Sequence, residues 1–261
     1  MPADTTRVIA CAALKGGVGK STTVANLAAV WGRDGRRVLA LDLDPAFSLT
    51  RMFGRVPSNA PATAVELLTG ATSLLDARIG YVIPGVDLIA GHRDLIKVEL
   101  TLAGETGRER FLTRALDGQL DIYDVVILDT SPTNGLLTVN ALVAATEVLI
   151  PVAMTDPGAL QGLAETRAAA VQVAERLGAR ELAVTAVRTK TDPRRLTFAA
   201  IDDALTTLGV TIAEASIPLR AEFDNAATSG VPLALGRPDS PGAVAYWRLA
   251  VELAQPLAVT A

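Results

Sequence analysis

Short apolar runs rich in β-branched residues alternate along the chain with Ala-rich segments of helical length. The runs predict strands over 8–13, 38–43, 86–90, 125–128, 148–152, 182–187 and 210–217. The segments between them predict helices over 21–31, 93–103, 108–116, 136–145, 159–177, 195–208 and 241–254. This alternation predicts an α/β fold, in which a mostly parallel, twisted sheet carries helices on both faces.

The segment from residue 55 to residue 85 is the least regular part of the chain. Its prolines and glycines interrupt both periodicities, and only 65–68 has the pattern of a short helix. We therefore predict an insertion here. No internal repeat or low-complexity linker divides the sequence, so residues 1–261 are expected to form a single domain without an N-terminal helix-turn-helix.

Composition agrees with a buried parallel sheet. Half of the residues are hydrophobic but only 4% are aromatic, which favours a core of Ala, Val, Leu and Ile. The single cysteine, Cys11, excludes an internal disulfide and a Cys-rich zinc site, and it fits a reducing, cytoplasmic setting. Residues 1–7 are polar and no apolar run approaches the ~20 residues of a membrane span, so we expect neither a targeting segment nor a membrane partner.

The net charge and the placement of the basic residues limit how the chain could contact DNA or phosphate groups. The net charge is −4, so any contact with DNA must come from a local basic patch. Twenty of the 24 basic residues are Arg and only four are Lys, yet Lys15 and Lys20 occupy one short loop. Because Arg is otherwise preferred, this placement indicates a task for compact ammonium groups.

That loop joins the first predicted strand to the first predicted helix. Its glycines allow backbone N–H groups to surround an anion at a helix N-terminus. Lys20 would reach the β- and γ-phosphates of a nucleotide, and the Ser21 hydroxyl would ligate Mg²⁺. Leu14 stands where the ordinary P-loop pattern has its first glycine, so a simple Gly-rich turn with a solvated lysine is the alternative. The predicted nucleotide-binding residues here are Lys15, Gly16, Gly17, Val18, Gly19, Lys20, Ser21 and Thr22.

Acidic residues follow two of the other predicted strands. Asp42 and Asp44 lie at the carboxyl end of one strand, where alternation puts them on the same side and facing the ligand crevice. Asp129 ends the apolar strand over 125–128, the arrangement in which a carboxylate orders Mg²⁺, usually through a water. Each motif alone is weak, since acidic strand-end turns are common. Their order and spacing after the glycine loop favour a nucleotide site.

The run KGGVGKST (15–22) resembles the deviant Walker A motif of the ParA/MinD ATPases, which resemble the nitrogenase iron protein in fold. The resemblance implies that Lys15 reaches across a nucleotide-sandwich homodimer to the phosphates of the partner subunit, as an arginine finger does. It also implies catalytic roles for Lys15, Lys20 and Asp44, with Asp44 positioning the attacking water. Asp42 and Asp44 would join Ser21 and Asp129 around Mg²⁺, and ATP and ADP would be the nucleotides.

The resemblance covers nearly the whole chain and favours ParA within the family. Pro218 matches the adenine-side loop, and 230–233 with 242–246 match the C-terminal helices. A shared iron–sulfur cluster is excluded by the position of Cys11 before the loop, and the C-terminal segment lacks the basic membrane helix of MinD. Departures from the family pattern are Ala13-Leu14, Ala46-Phe47 and Ser131, which put the details of partner coupling in question.

ParA proteins bind DNA without sequence preference through basic residues late in the chain. The matching candidates are Arg188, Lys190, Arg194, Arg195 and Arg220. The alternative is a solvated face whose arginines form local ion pairs with Asp192, Asp202 or Asp203.

The expected function is a weakly active ATPase that dimerises on ATP, associates with the nucleoid and partitions a plasmid or chromosome origin with a ParB-like partner. One alternative keeps this chemistry but positions a protein organelle or chemoreceptor cluster through a cargo adaptor. A second alternative is a nucleotide-switch regulator that does not bind DNA.

Overall fold

The structure is a computed structural model that describes residues 6–179 and 181–254. Its eight strands form one sheet in the order β3-β4-β2-β5-β1-β6-β7-β8. All neighbouring strands are parallel except β3, which is antiparallel to β4. The strands are β1 (Arg7–Cys11), β2 (Val38–Asp42), β3 (Ile79–Ile83), β4 (Val86–Ile89), β5 (Val125–Asp129), β6 (Glu147–Ala153), β7 (Ala183–Thr191) and β8 (Thr211–Pro218).

Twelve α-helices connect and cover these strands within the described residues. They are α1 (Lys20–Arg33), α2 (Ser48–Met52), α3 (Ala64–Leu68), α4 (Leu74–Ala77), α5 (Leu95–Leu102), α6 (Phe111–Leu116), α7 (Leu136–Ala144), α8 (Ala159–Leu177), α9 (Leu196–Thr207), α10 (Glu222–Ser229), α11 (Leu233–Gly236) and α12 (Pro241–Glu252). None of the described helices is both long enough and apolar enough to cross a membrane. The predicted α/β fold is confirmed.

Both faces of the sheet are covered, which explains why the central strands are apolar throughout. Every residue of β2 and β5 is buried. One core includes Leu27 and Trp31 of α1 with Tyr246 of α12, and the other includes residues of α5, α6, α7 and α8 such as Leu112. Parallel strands that are covered on both faces cannot alternate apolar with polar positions.

Strand register brings the predicted acidic residues together at one edge. Asp42, the last residue of β2, pairs in register with Asp129, the last residue of β5. Cys11, the last residue of β1, pairs with Asp129 on the other side, and the glycine loop follows it. The carboxyl ends of three adjacent strands therefore surround one crevice, where ligands bind in open α/β sheets.

The irregular segment contains more structure than the sequence predicted. It forms a 3₁₀ turn at Pro57–Asn59, helices α3 and α4, and the edge strand β3, of which only α3 was anticipated. Strand β3 escapes prediction because it contains a glycine and because Tyr81 is 80% exposed with a φ of 51°. Helices α2, α4, α10 and α11 were not anticipated either, since they are too short or too polar to show a helical period.

Candidate active site

The glycine loop is built around two left-handed backbone positions. Gly17 has a φ of +73° and Gly19 a φ of +97°, values that residues with a Cβ rarely adopt. Helix α1 starts immediately afterwards, and its N-cap Gly19 provides no side chain to accept from the first N–H groups. These unsatisfied donors and the positive end of the helix dipole form a site for an anion.

Lys20 is held at this loop by backbone carbonyls. Lys20 is only 7% exposed, and its Nζ donates to the carbonyl oxygens of Ala13 at 3.2 Å and Lys15 at 3.3 Å. Burial lowers the pKa of this ammonium, and the nearby charge of Asp129 opposes the shift. A phosphate in the loop would supply the opposite charge that the burial of Lys20 calls for.

Lys15 points away from the loop to which it belongs. Its Nζ forms an ion pair with Asp156 Oδ2 at 3.3 Å, and its stem crosses the start of α8. A Cβ added at Gly158 would lie 2.7 Å from Nζ, and one at Gly162 would lie 2.9 Å from the Cβ of Lys15. The two glycines therefore make room for the lysine, and Asp156 neutralises the ammonium charge. Asp156 was not predicted from the sequence.

Asp129 has the environment of a residue that requires a cation. It is fully buried, and neither carboxylate oxygen has a hydrogen-bond partner among the described residues. Burial, followed by the negative charge of Asp42, raises its pKa well above the usual range. A divalent ion at this position, with the Ser21 hydroxyl as a second ligand, would satisfy both oxygens.

The described residues contain no cluster of three His, Cys, Asp or Glu side chains with the geometry to hold a metal ion. An ion beside Asp129 would therefore take most of its ligands from water and from nucleotide phosphates. Mg²⁺ is commonly bound in this way, through one or two protein ligands.

Asp42 acts on the loop that follows it. Its Oδ2 accepts from the backbone N–H and the hydroxyl of Thr50, at 2.9 and 2.7 Å, and its Oδ1 accepts from the N–H of Asp44 at 3.1 Å. Burial raises its pKa to about 6, although these hydrogen bonds oppose the shift. Asp42 thus fastens α2 and the Asp44 turn to the sheet. Its predicted support of Mg²⁺ stays a prediction, and the anchoring by Thr50 was missed.

Asp44 lies at the rim of the crevice, as its predicted role requires. It is half-buried, and its Oδ1 accepts from the N–H of Ala46 at 2.9 Å. Phe47, the N-cap of α2, has a φ of 43°. The turn that carries Asp44 therefore contains a backbone conformation that aromatic residues rarely adopt. The predicted catalytic and metal roles of Asp44 stay predictions.

A cleft of about 370 Å³ extends from the glycine loop toward β7 and β8. Its far wall is largely apolar, with Ile217, Pro218, Leu219 and Phe223 opposite Met52 of α2. A nucleotide whose phosphates occupied the loop would place its base against this wall. The predicted base-side position of Pro218 is compatible with the cleft.

The five candidate DNA contacts have different surroundings. Lys190, which has a φ of 51°, and Arg220 line the nucleotide cleft. Arg188 is largely buried and forms an ion pair with Asp202, and its predicted contact with DNA stays a prediction. Its side chain extends sideways from β7 toward α9, a direction that the sequence could not indicate.

Arg194 and Arg195 remain as the exposed pair. Their side chains are 90% and 52% exposed, and both lie within ion-pair distance of Asp192. These are the local ion pairs of the alternative interpretation. Ion pairs this exposed contribute little to stability and can be exchanged for others.

Comparison with known proteins places this geometry in a family. Residues 6–182 match the family model described as "AAA domain". Over 95% of its length the chain is 31% identical to the sporulation initiation inhibitor protein Soj of Bacillus subtilis, covering 98% of that protein. It is 33% identical to the chromosome partitioning protein ParA of Caulobacter vibrioides, with 97% of the chain and 96% of the relative covered. The chain belongs to the ParA/MinD family of P-loop ATPases.

A solved structure that is similar to this chain over nearly its whole length carries a different name. It is described as cobyrinic acid a,c-diamide synthase from Mycobacterium smegmatis with bound ADP and magnesium, and its TM-score with this chain is 0.81 at 32% identity. The match covers 96% of this chain and 94% of that one. The predicted ParA/MinD resemblance and the ATPase activity are confirmed. The roles of individual residues stay predictions.

Proposed function

We propose that this ParA-family ATPase forms an ATP-dependent dimer that is retained on non-specific DNA and partitions a plasmid or chromosome origin with a ParB-like partner. The position of Lys15 carries the proposal. Lys20 faces the phosphate loop, whereas Lys15 points away from it and is paired with Asp156 at 3.3 Å.

The Lys15 ion pair is suited to exchange. The two side chains are 40% and 35% exposed, and pairs of this exposure contribute about 0–1 kcal/mol. A triphosphate bound to another subunit carries more charge than one carboxylate, so Lys15 would leave Asp156 for it at little cost. Such a cation supplied in trans stabilises the charge that develops during phosphoryl transfer.

Mixing two inactive variants tests this action in trans. Lys15→Ala retains Asp44 but lacks the donated lysine, whereas Asp44→Ala retains Lys15 but lacks the residue that orients water. A mixed dimer has one complete site, because Lys15 of the second variant reaches the nucleotide beside Asp44 of the first. Random pairing in equal amounts should restore about a quarter of the normal turnover per subunit.

The control is a mixture in which the second variant carries both substitutions, which should remain inactive. Full turnover by Lys15→Ala alone, or no recovery in the first mixture although mixed dimers form, would refute action in trans. Dimer formation is followed by size-exclusion chromatography with ATP and Mg²⁺.

Magnesium and nucleotide binding have support from the site itself. Ser21 and Asp129 would hold Mg²⁺, and the orphaned oxygens of Asp129 fit such an ion. The ADP and magnesium named for the M. smegmatis structure are consistent with this assignment. Bound there, the metal would neutralise phosphate charge during hydrolysis.

DNA retention is assigned to Arg194 and Arg195, which lie beside the N-terminus of α9. A dimer would present four such side chains, and each phosphate contact that is lost should lower the slope of log affinity against log salt by about 0.9. The double Ala variant should therefore lose ATP-dependent DNA retention but still dimerise. Arg33→Ala with Arg37→Ala, at the opposite end of the sheet, is the matched control. Equal salt slopes for both double variants would remove DNA binding from this face.

The same measurements separate the other interpretations. If DNA leaves the turnover unchanged and the unsubstituted protein is not retained on DNA with ATP, a nucleotide switch without a DNA contact would be favoured. Retention on DNA without capture by a ParB-like protein would favour positioning of a protein complex through another adaptor.

Amide synthesis, suggested by the name of the M. smegmatis structure, has little support in this chain. An amidation that proceeds through a covalent cysteine intermediate would need an accessible thiolate. The single cysteine, Cys11, lies in the centre of the sheet with no exposed surface, and burial raises the pKa of its thiol.

A further inference from the structure

Helix α7 begins with a glycine and receives its cap from another helix. Its N-cap, Gly135, has no side chain that could accept from the first N–H groups. Instead Glu99 of α5 accepts from the N–H of Leu137 at 3.2 Å through Oε1. A carboxylate at this end also interacts favourably with the helix dipole.

The carboxylate of Glu99 occupies the space that a side chain at position 135 would need. A Cβ added to Gly135 would overlap Glu99 Oε1 and lie 3.0 Å from its Cδ. The glycine therefore leaves room for the carboxylate to reach the end of α7.

Hydrogen bonds continue from α7 into the nucleotide cleft. Thr138 of α7 donates to the carbonyl oxygen of Thr133 at 2.8 Å, and the hydroxyls of Thr133 and Ser131 lie 2.8 Å apart. Pro132, between these two residues, lines the cleft. Residues 131–134 directly follow Asp129 and its neighbour Thr130, so the position of α7 sets the wall beside the predicted metal site.

A second polar contact ties α7 to the chain beyond α5. Asn140 donates to the carbonyl oxygen of Arg108 at 2.8 Å and accepts from the N–H of Leu112 at 3.0 Å. Helices α5, α6 and α7 thus share directional contacts as well as apolar packing. The opposite side of α5 faces solvent, with Leu100 74% exposed.

We propose that Glu99 is a positioning residue for ATP hydrolysis, which acts by holding the N-terminus of α7 and with it residues 131–134 at the nucleotide cleft. It does not touch the nucleotide. The role depends only on the ATPase chemistry of the family, so it can fail or succeed independently of dimer exchange and DNA retention.

Steady-state turnover separates this role from simple packing. Glu99→Ala should lower kcat roughly tenfold, the equivalent of about 1.4 kcal/mol, and should change KM for ATP by less than about twofold. Glu99→Gln keeps one acceptor oxygen at the same reach and should recover most of kcat. Leu100→Ala, the neighbouring exposed position on α5, is the control and should be normal.

Hydrogen exchange supplies the second measurement. In Glu99→Ala the amides of 133–140 should exchange faster, while those of the α5 interior keep their protection. Normal kcat in Glu99→Ala would overturn the proposal. So would a Gln variant no better than the Ala variant, or an exchange increase spread over all of α5, which would indicate a general packing defect.

Discussion

Asp129 gives the sharpest test of the active site, because its buried carboxylate destabilises the free protein. We consider Asp129→Asn, which removes the charge and changes the shape very little. Burial and the charge of Asp42 together outweigh the opposing effects of the Ser21 hydroxyl and of Lys20 at this carboxylate. Burying a charged carboxylate without full partners costs more than burying a neutral amide in the same place, by an amount on the order of 1–3 kcal/mol. The variant without nucleotide should therefore be about 2 kcal/mol more stable at pH 8, or roughly 4–8 °C higher in Tm.

The stability gained by Asp129→Asn should depend on pH in a defined direction. Because the pKa of Asp129 is raised in the folded state, the native protein binds the extra proton at pH values where the unfolded chain has lost it. Stability is therefore greatest below the unfolded pKa of about 4 and falls as the pH rises through the folded value. The gap between variant and normal protein should be small near pH 4 and should widen toward pH 8.

Thermal unfolding followed by circular dichroism, without nucleotide or Mg²⁺, measures this gap. Asp87→Asn is the matched control, since Asp87 is also nearly buried, on β4 of the same sheet, but accepts from Arg78, Tyr81 and Tyr123 at 2.8–2.9 Å. The control should lose about 1–3 kcal/mol because its carboxylate is fully partnered. A destabilised Asp129→Asn, or a gap that does not change with pH, would refute the reasoning.

Three further predictions concern the same site. Lys20→Ala should abolish nucleotide binding measured with a fluorescent ATP analogue, and tight binding would contradict the phosphate loop. Asp44→Ala should trap an ATP-bound dimer visible in size-exclusion chromatography, whereas normal turnover would show that Asp44 does not orient water. Thr50→Val removes a donor from buried Asp42 and should cost about 1–3 kcal/mol in urea unfolding, with kcat falling as the Asp44 turn loosens. Unchanged unfolding in Thr50→Val would remove the anchoring role.

Both the parallel sheet and the phosphate loop could be predicted from the sequence because each is a local pattern. Continuous apolar runs identify strands that are buried on both faces, and seven of the eight strands were found in this way. The phosphate loop is equally local, because the glycines with left-handed backbone angles lie within a few residues of Lys20 and Ser21. Residues 16–22 of the loop line one cleft with Asp44, and Asp42 pairs in register with Asp129 at the same edge of the sheet, while their individual roles stay predictions.

Short or irregular elements could not be predicted from the sequence, because tertiary contacts stabilise them. Strand β3 has no clear alternation, and it is held as an antiparallel neighbour of β4 and by the bond from the N–H of Tyr81 to Asp87. Helix α2 has five residues and is fastened by Asp42 through Thr50. Neither of these two hydrogen bonds joins neighbouring residues, so no local sequence pattern indicates them.

The basic residues show the same limit. By itself the sequence determined that the chain would fold as a parallel α/β sheet with a two-lysine phosphate loop, since both follow from neighbouring residues. Only the tertiary structure decided that Lys15 pairs with Asp156, that Lys190 lines the nucleotide cleft and that Glu99 caps α7. Each of these outcomes depends on which side chains a distant part of the chain places within a few ångströms, and charge or residue type alone carries no such distance.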